Sequence, residues 1–381
     1  MTRVLLHIGA PKTGTTYLQG VLFRNRGRLA EHGVLYPGES ATAHYSAALD
    51  LRGLNFAGYD DPDTEGAWEA LAQQARDWRG EAVVISHELL AGADATAITA
   101  ALSSLGHSEV HLVMTARDLG RQVPAVWQEM VKNRQNVDYP TYLTSLTRRR
   151  RRGRVAKVFW RQQDVVAVLE HWRAFVPAER MHLVTVPPAG SSPTLLWERM
   201  CRVVGVSPDG YDTTVPRTNV SLGMAEAELV RRVGLELDDR LPWPEFASTV
   251  KFWFAEQLLS SRRESTRAQV PDRLRPWFDE AAATMVAEVR SNGYDVVGDL
   301  DDLRPVYGPP GAAEGPDPDE VVGAAAYALA EMLAERAGER PVGAARVVHD
   351  FSTRLRGARR RRVLRLLPEP VKRRLRNAGG H

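Results

Sequence analysis

Short apolar runs recur along the chain at residues 4–8, 82–86, 110–115 and 182–186, each rich in Val, Ile or Leu and closed by polar or turn residues. Continuous apolar runs of this length are what strands buried on both faces of a parallel sheet require. Longer stretches at helical spacing separate them, at 16–31, 67–78, 119–132 and 164–175. The alternation predicts an α/β fold with a parallel β-sheet flanked by helices. Residues 195–204 continue the pattern as a helix stopped by Gly205, with Pro208 just beyond. After about Val215 the strand pattern ends, and 225–237, 249–259 and 273–291 read as helices, the last stopped at Asn292-Gly293. Residues 304–318 hold five prolines and read as a linker, and 319–336 resume an alanine-rich helical pattern. The expected organisation is an α/β domain over 1–303, a Pro/Gly-rich linker over 304–318 and a helical, basic extension over 319–381. No repeat of solenoid period is present.

Candidate chemistry begins where the first strand ends. Residues 7–16 read His-Ile-Gly-Ala-Pro-Lys-Thr-Gly-Thr-Thr, a Gly-rich turn between a strand and a helix that should start at Thr15 or Thr16. That geometry aims backbone N–H groups and a helix N-terminus at one point, where a phosphate or sulfate is stabilised. Gly9 and Gly14 let the backbone approach an anion with no Cβ in the way. Lys12 adds positive charge, and Thr13, Thr15 and Thr16 add hydroxyls. The Walker A pattern G-x-x-x-x-G-K-[ST] needs Lys straight after its second Gly. Thr15 stands there, and the lysine comes earlier, after Pro11. A second basic residue, Arg117, follows the strand at 110–115 and falls on the same sheet rim, since ligands of open parallel sheets sit beyond the carboxyl ends of strands. Its guanidinium can fork two phosphate oxygens. Asp118 is placed to cap the next helix.

Pro11-Lys12-Thr13-Gly14-Thr15-Thr16 resembles the 5′-phosphosulfate loop of the sulfotransferases, P-K-[ST]-G-[ST]-[ST] in its usual form, most similar to a bacterial branch of that superfamily. The resemblance implies a sulfuryl transferase using 3′-phosphoadenosine 5′-phosphosulfate (PAPS), with Thr15 and Thr16 on the 5′-phosphate and Lys12 at the oxygen bridging phosphate and sulfate. It implies Arg117 on the 3′-phosphate. The family's usual Ser eight residues later is Ala125 here, with Arg121 and Gln122 as candidate replacements. Arg217, Asn219 and Ser221 fit the late loop that closes over the nucleotide. The family places its base, His or Glu, after the second strand, where His87 and Glu88 stand; Glu88 is favoured by position. No metal is implied. The alternatives are a P-loop kinase of a small hydroxylated substrate, and a non-catalytic nucleotide-binding adaptor with a basic tail.

Composition narrows the setting. The chain has 381 residues, 44% hydrophobic and 25% charged, ordinary for a soluble globular protein. A single cysteine, Cys201, precludes an intrachain disulfide and suits a reducing compartment. The early anion loop leaves no room for a cleaved signal segment before it, and a cytoplasmic location is expected. Net charge is +3, but Arg148–Arg152 form an unbroken run, and eleven Arg or Lys face one acid between Phe351 and His381. The basic C-terminus could touch an anionic membrane; no nucleic-acid partner is expected. Tyr36, Tyr45, Phe56, Tyr59, Tyr139 and Tyr142 suit either a small-molecule or carbohydrate acceptor or packing.

Overall fold

The computed structural model describes residues 2–55, 58–148, 153–215, 221–262 and 265–338. Six parallel strands form one sheet: β1 (Arg3–His7), β2 (Val34–Leu35), β3 (Ala82–Ser86), β4 (Glu109–Ala116), β5 (Met181–Thr185) and β6 (Asp295–Val297). They lie in the order β2-β3-β1-β4-β5-β6. From β1 the chain passes to the edge strand β2, returns to β3 beside β1, and then crosses to the other side for β4, β5 and β6, so the topological switch falls at β1 and β4. His7 registers with Ser86 on one neighbour and Val113 on the other, which brings the loops after β1, β3 and β4 to a common rim. That rim is where an open α/β sheet binds ligands.

The helices are α1 (Thr15–Arg24), α2 (Arg26–Glu31), α3 (Ala43–Arg52), α4 (Ala67–Asp77), α5 (Ala95–Ser104), α6 (Leu119–Lys132), α7 (Tyr139–Thr147), α8 (Arg154–Gln163), α9 (Val165–Arg173), α10 (Leu195–Val204), α11 (Met224–Leu237), α12 (Trp243–Phe246), α13 (Arg275–Asn292) and α14 (Pro318–Gly338). Leu18, Val21 and Leu22 of α1 pack with Trp197, Met200 and Val204 of α10 and with Leu5 and Val84 of the sheet to make one core. A second set of rings, Trp127, Tyr139, Tyr142 and Phe159, joins α6, α7 and α8, with centroids 4.7 to 6.1 Å apart. Tyr36, Tyr139 and Tyr142 are therefore packing residues, and Phe56 lies outside the described residues.

The α/β expectation holds, with local corrections. The helix expected over 16–31 breaks at Asn25. Its side chain donates to the carbonyls of Val21 and Asp212 and accepts from the Asp212 N–H, ending α1 to satisfy a chain segment far away. β2 and β6 are two and three residues long, too short to register as apolar runs. Over 249–259 the chain is helical, but Ala247–Leu258 is wound as a π-helix, a rare form frequent at functional sites. Residues 304–318 are anchored rather than free. The Val306 N–H donates to Asp118, Tyr307 to Asp279, and the Gly311 N–H to Asp272, all near 2.8 to 3.0 Å. The first compact unit accordingly runs through Ala324, past the boundary expected at 303. Of the second unit, Ala325–His381, residues 325–338 are described, as the end of α14. Among the described residues no helix is long and apolar enough to cross a membrane.

Gly120, in the first turn of α6, has Val306 directly above it, so an added Cβ would collide with the Val306 carbonyl. Gly120→Ala should cost about 1–3 kcal/mol, the usual range for overpacking, by lifting residues 304–308 off α6. Urea denaturation measures this; an unchanged midpoint would mean that the segment does not stay seated.

Candidate functional site

The loop between β1 and α1 is held by its carbonyls. The Gly9 carbonyl accepts from the Thr115 N–H at 2.5 Å and from the Thr115 hydroxyl at 2.9 Å. The Ala10 carbonyl accepts from the Thr13 hydroxyl. The Pro11 carbonyl accepts from Gln122 at 2.5 Å and Gln163 at 3.3 Å, and the Lys12 carbonyl from Arg117 at 3.3 Å. Four consecutive carbonyls are thus turned into the protein by donors from β4, α6, α8 and the loop itself. The other side of the loop is left to its N–H groups. Gly14 caps α1 with no side chain bonded to the helix end, so the first amides of the helix remain free for a ligand. Gly9 has φ +113°, and a Cβ there would press on Glu88 Cα and Cβ at 3.0 Å; only glycine lets the loop lie against the residue after β3.

The threonines separate by role. Thr13 is buried, its hydroxyl bonded to Thr115 Oγ1 at 2.5 Å and to the Ala10 carbonyl. Its side chain is a strut of the loop, not the ligand contact expected. Thr15 is buried and hydrogen-bonds Glu88; Thr16 is exposed at the helix end.

A cavity of about 750 Å³ opens beside this loop, with Lys12, Thr15, Thr16, His87, Glu88 and Lys251 among its walls. The Lys12 ammonium rests 3.2 Å from Glu129 on α6. Glu129 also holds Lys132 at 3.0 Å and Lys251, from the π-helix, at 2.8 Å; Lys132 reaches Glu256 at 2.6 Å. Burial lowers the Lys12 pKa against the opposing pull of Glu129. Burial also works against Glu129, but three ammonium neighbours hold its carboxyl well below the usual carboxylate range. Lys132 is raised: burial opposes its charge, and Glu129 and Glu256 more than offset that. Lys251 and Glu256 were not legible as site residues from sequence.

His87 and Glu88 both line the cavity and differ in availability. His87 Nδ1 accepts from the Leu89 N–H at 3.2 Å, so its neutral ring carries the proton on Nε2 and presents a donor to the cavity. Burial lowers its pKa, with the Glu88 charge opposing. Burial alone would raise Glu88, but the charge of His87 when protonated, a backbone hydrogen bond, the Gln19 amide at 3.2 Å and Thr15 favour the carboxylate, and its pKa is lowered. Glu88 is therefore the ionised acceptor of the pair.

Arg117 and Arg121 sit together beyond β4. Arg121 is tied to Asp118 and to the Pro187 carbonyl at 3.2 Å. Arg117 Nε and Arg121 Nη2 are buried and have no acceptor among the described residues. Burial first, and the Arg121 charge second, lower the Arg117 pKa to about 10, leaving it protonated at neutrality. Two buried guanidinium donors without a protein acceptor suit the oxygens of an anion. Ala125 offers no hydroxyl, as the sequence stated. Ser221 is exposed, and among the described residues no hydrogen bond joins it to the loop; Arg217 and Asn219 lie outside the described residues. Among the described residues no group of three or more His, Cys, Asp or Glu side chains could hold a metal ion.

No family model matches the chain, and no curated protein matches it. Among solved structures it is similar to a sulfotransferase from Alicyclobacillus acidocaldarius, at 15% identity over 64% of this chain and 97% of the other, with a TM-score of 0.37.

His7 ties the rim together. It is fully buried between Ser86 on β3, at 2.7 Å, and Thr115 on β4, at 3.3 Å, and burial holds its pKa down to about 4. Its unfolded value is about 6.5, so between those two pH values the unfolded chain binds more protons than the folded one. Stability from neutral His7 is present above about 6.5 and lost as pH falls toward about 4. His7→Gln should flatten the acid side of the stability curve by on the order of 3 kcal/mol, read as urea midpoints against pH. An identical slope in wild type and variant would contradict the assignment.

Proposed function

We propose that the chain transfers a sulfuryl group from PAPS to a hydroxyl (or amine) of a small-molecule or glycan acceptor, with Glu88 as base. The observation that carries this reading is the meeting of three features on one rim: an uncapped helix N-terminus behind a P-K-T-G-T-T loop, orphaned donors on Arg117 and Arg121, and an ionised Glu88 against Gly9.

The residues fit the donor molecule. The loop and α1 amides, with the Thr16 hydroxyl, suit the 5′-phosphosulfate, while the Thr15 hydroxyl is engaged by Glu88; Arg117 and Arg121 suit the 3′-phosphate. When bound, PAPS supplies an activated sulfuryl group on a nucleotide leaving group. The protein's part is electrostatic and acid–base. Lys12 exchanges its contact with Glu129 for the negative charge that grows at the leaving oxygen, and Glu129 keeps Lys132 and Lys251 as counter-ions. Glu88 accepts the acceptor's proton, held in place by Gln19 and Thr15. The His87 Nε2–H faces the same cavity and suits hydrogen-bonding the acceptor. A P-loop kinase would need a lysine where Thr15 stands.

Calorimetry separates these readings. 3′,5′-Adenosine bisphosphate should bind without metal, and ATP with Mg²⁺ should bind weakly or not at all. Arg117→Ala should weaken the bisphosphate by roughly 2–5 kcal/mol, the cost of a buried charged pair. It should leave adenosine 5′-phosphosulfate, which lacks the 3′-phosphate, far less affected. Equal losses for both ligands would remove Arg117 from the 3′-phosphate.

Turnover tests the chemistry. Lys12→Ala should lower kcat by about 10²-fold or more with the fold intact. Glu88→Gln should lower kcat strongly at nearly unchanged bisphosphate affinity, whereas His87→Gln should leave the proton-accepting step in place and act mainly on KM. Full activity in Glu88→Gln would place the base elsewhere.

A further inference from the structure

Beside the cavity, α8 carries a charge that sulfuryl transfer by itself does not require. Residues 148–161 contain eight Arg or Lys and no acid. Within the described part, Arg154, Lys157 and Arg161 stand on α8 at i, i+3 and i+7, exposed on one side of the helix and spanning about 10 Å. None of the three makes an ion pair among the described residues, and α8 itself has no acidic residue. Like charges at this spacing repel, a standing cost that most surface helices relieve by interleaving acids.

The helix is also placed against the reacting groups. α8 packs on the turn Glu88–Gly92 that begins with the proposed base. Val158 lines both a shallow hollow walled by the aliphatic stems of Arg154, Lys157 and Arg161 and the main cavity. Arg161 lies close enough to Arg52 to help lower its pKa to about 10, after burial as the larger cause, while Arg52 holds the carbonyls of Leu89 and Gly92 at 2.6 Å. The unneutralised face and the cavity are therefore continuous through one helix.

Resting on the sulfuryl-transfer reading above, we propose that the acceptor is an acidic polysaccharide: a chain of anionic sugars that runs along the basic face of α8 and places one hydroxyl at Glu88. The cavity walls past Lys12 suit a sugar, with Gln135 and Gln162 as amide partners for hydroxyls and Tyr45 and Phe252 as rings. Single-stranded nucleic acid fits less well, because it needs exposed rings for base stacking along its basic track. On α8 the aromatic residues, Phe159 and Trp160, are buried. A membrane surface fits less well again, since α8 shows no exposed large apolar side chain to insert.

The test uses the full chain with 3′,5′-adenosine bisphosphate present. A labelled oligogalacturonate, a neutral galactan of equal length and a single-stranded RNA of equal length are titrated by fluorescence anisotropy, against wild type and the combined variant Arg154→Gln, Lys157→Gln, Arg161→Gln. The acidic glycan should bind at least about tenfold more tightly than the neutral one, with affinity that falls as salt rises. The variant should lose about tenfold for the acidic glycan, as three partly screened ion contacts would allow, and nothing for the bisphosphate, which also reports its fold. Equal binding of acidic and neutral glycan, unchanged binding by the variant, or tighter binding of the RNA would each overturn the proposal. Failure of the bisphosphate to bind wild type would instead overturn the PAPS reading, and is measured separately by calorimetry.

Discussion

The candidate site depends on where four carbonyls point. A loop of backbone can bind an anion only if its own oxygens are removed from the ligand side, because each carries partial negative charge. Here Gly9, Ala10, Pro11 and Lys12 all have their carbonyls occupied by Thr115, Thr13, Gln122, Gln163 and Arg117. Those donors come from β4, from α6 and α8, and from within the loop, so the packing of the helices on the sheet is also what shapes the loop. A change in the seating of α6 would reach the loop through Gln122 without touching any residue of the loop motif. The buried network of His7, Ser86 and Thr115 serves the same end by locking the ends of three adjacent strands in register.

The second constraint is charge. Lys12 cannot be left bare in a largely buried wall, because an unpaired ammonium there would lose its proton or expel the loop. Glu129 solves this at a price: the contact opposes movement of Lys12 toward a ligand. Sharing the carboxylate with Lys132 and Lys251 weakens that hold, since the same two oxygens serve three cations and Glu129 stays paired after any one leaves. The cluster thus keeps its balance with Lys12 on either side.

What could be read from sequence follows from how local each feature is. The strands at 82–86 and 4–8, the helix at 195–204 with its Gly205 stop, and the helix cap by Asp118 are set by adjacent residues, and the structure places them within a residue or so. The loop was legible for the same reason, since hydroxyls, lysine and glycines fall within eight positions. Thr13 shows the limit: the same residue type at the same spacing turns inward because Thr115, about a hundred positions away, is there to meet it. The lysine cluster was illegible because Lys251 and Glu129 are 122 positions apart and meet only through the π-helix. The linker composition at 304–318 was real, but proline and glycine describe backbone shape, not attachment, and Asp118 and Asp272 supply the attachment.

At Ala125 the backbone of α6 and the charge around the loop bear on each other. The hydroxyl that the sulfotransferase resemblance expects on α6 is missing, and Pro124 beside it removes a backbone donor from the middle of that helix. One turn earlier, on the same helix, Arg121 keeps a buried guanidinium nitrogen free, and Asp118 and the Pro187 carbonyl fix the rest of its fork. A held guanidinium offers a charged donor where a serine would offer a neutral one, and charged hydrogen bonds are the stronger kind. Under the proposed reading, the loss at Ala125 is offset within α6 by Arg121. The cost is a denser positive field, since Arg117 and Arg121 then share one region with, among the described residues, Asp118 as their counter-ion. Such a field suits a doubly charged phosphate.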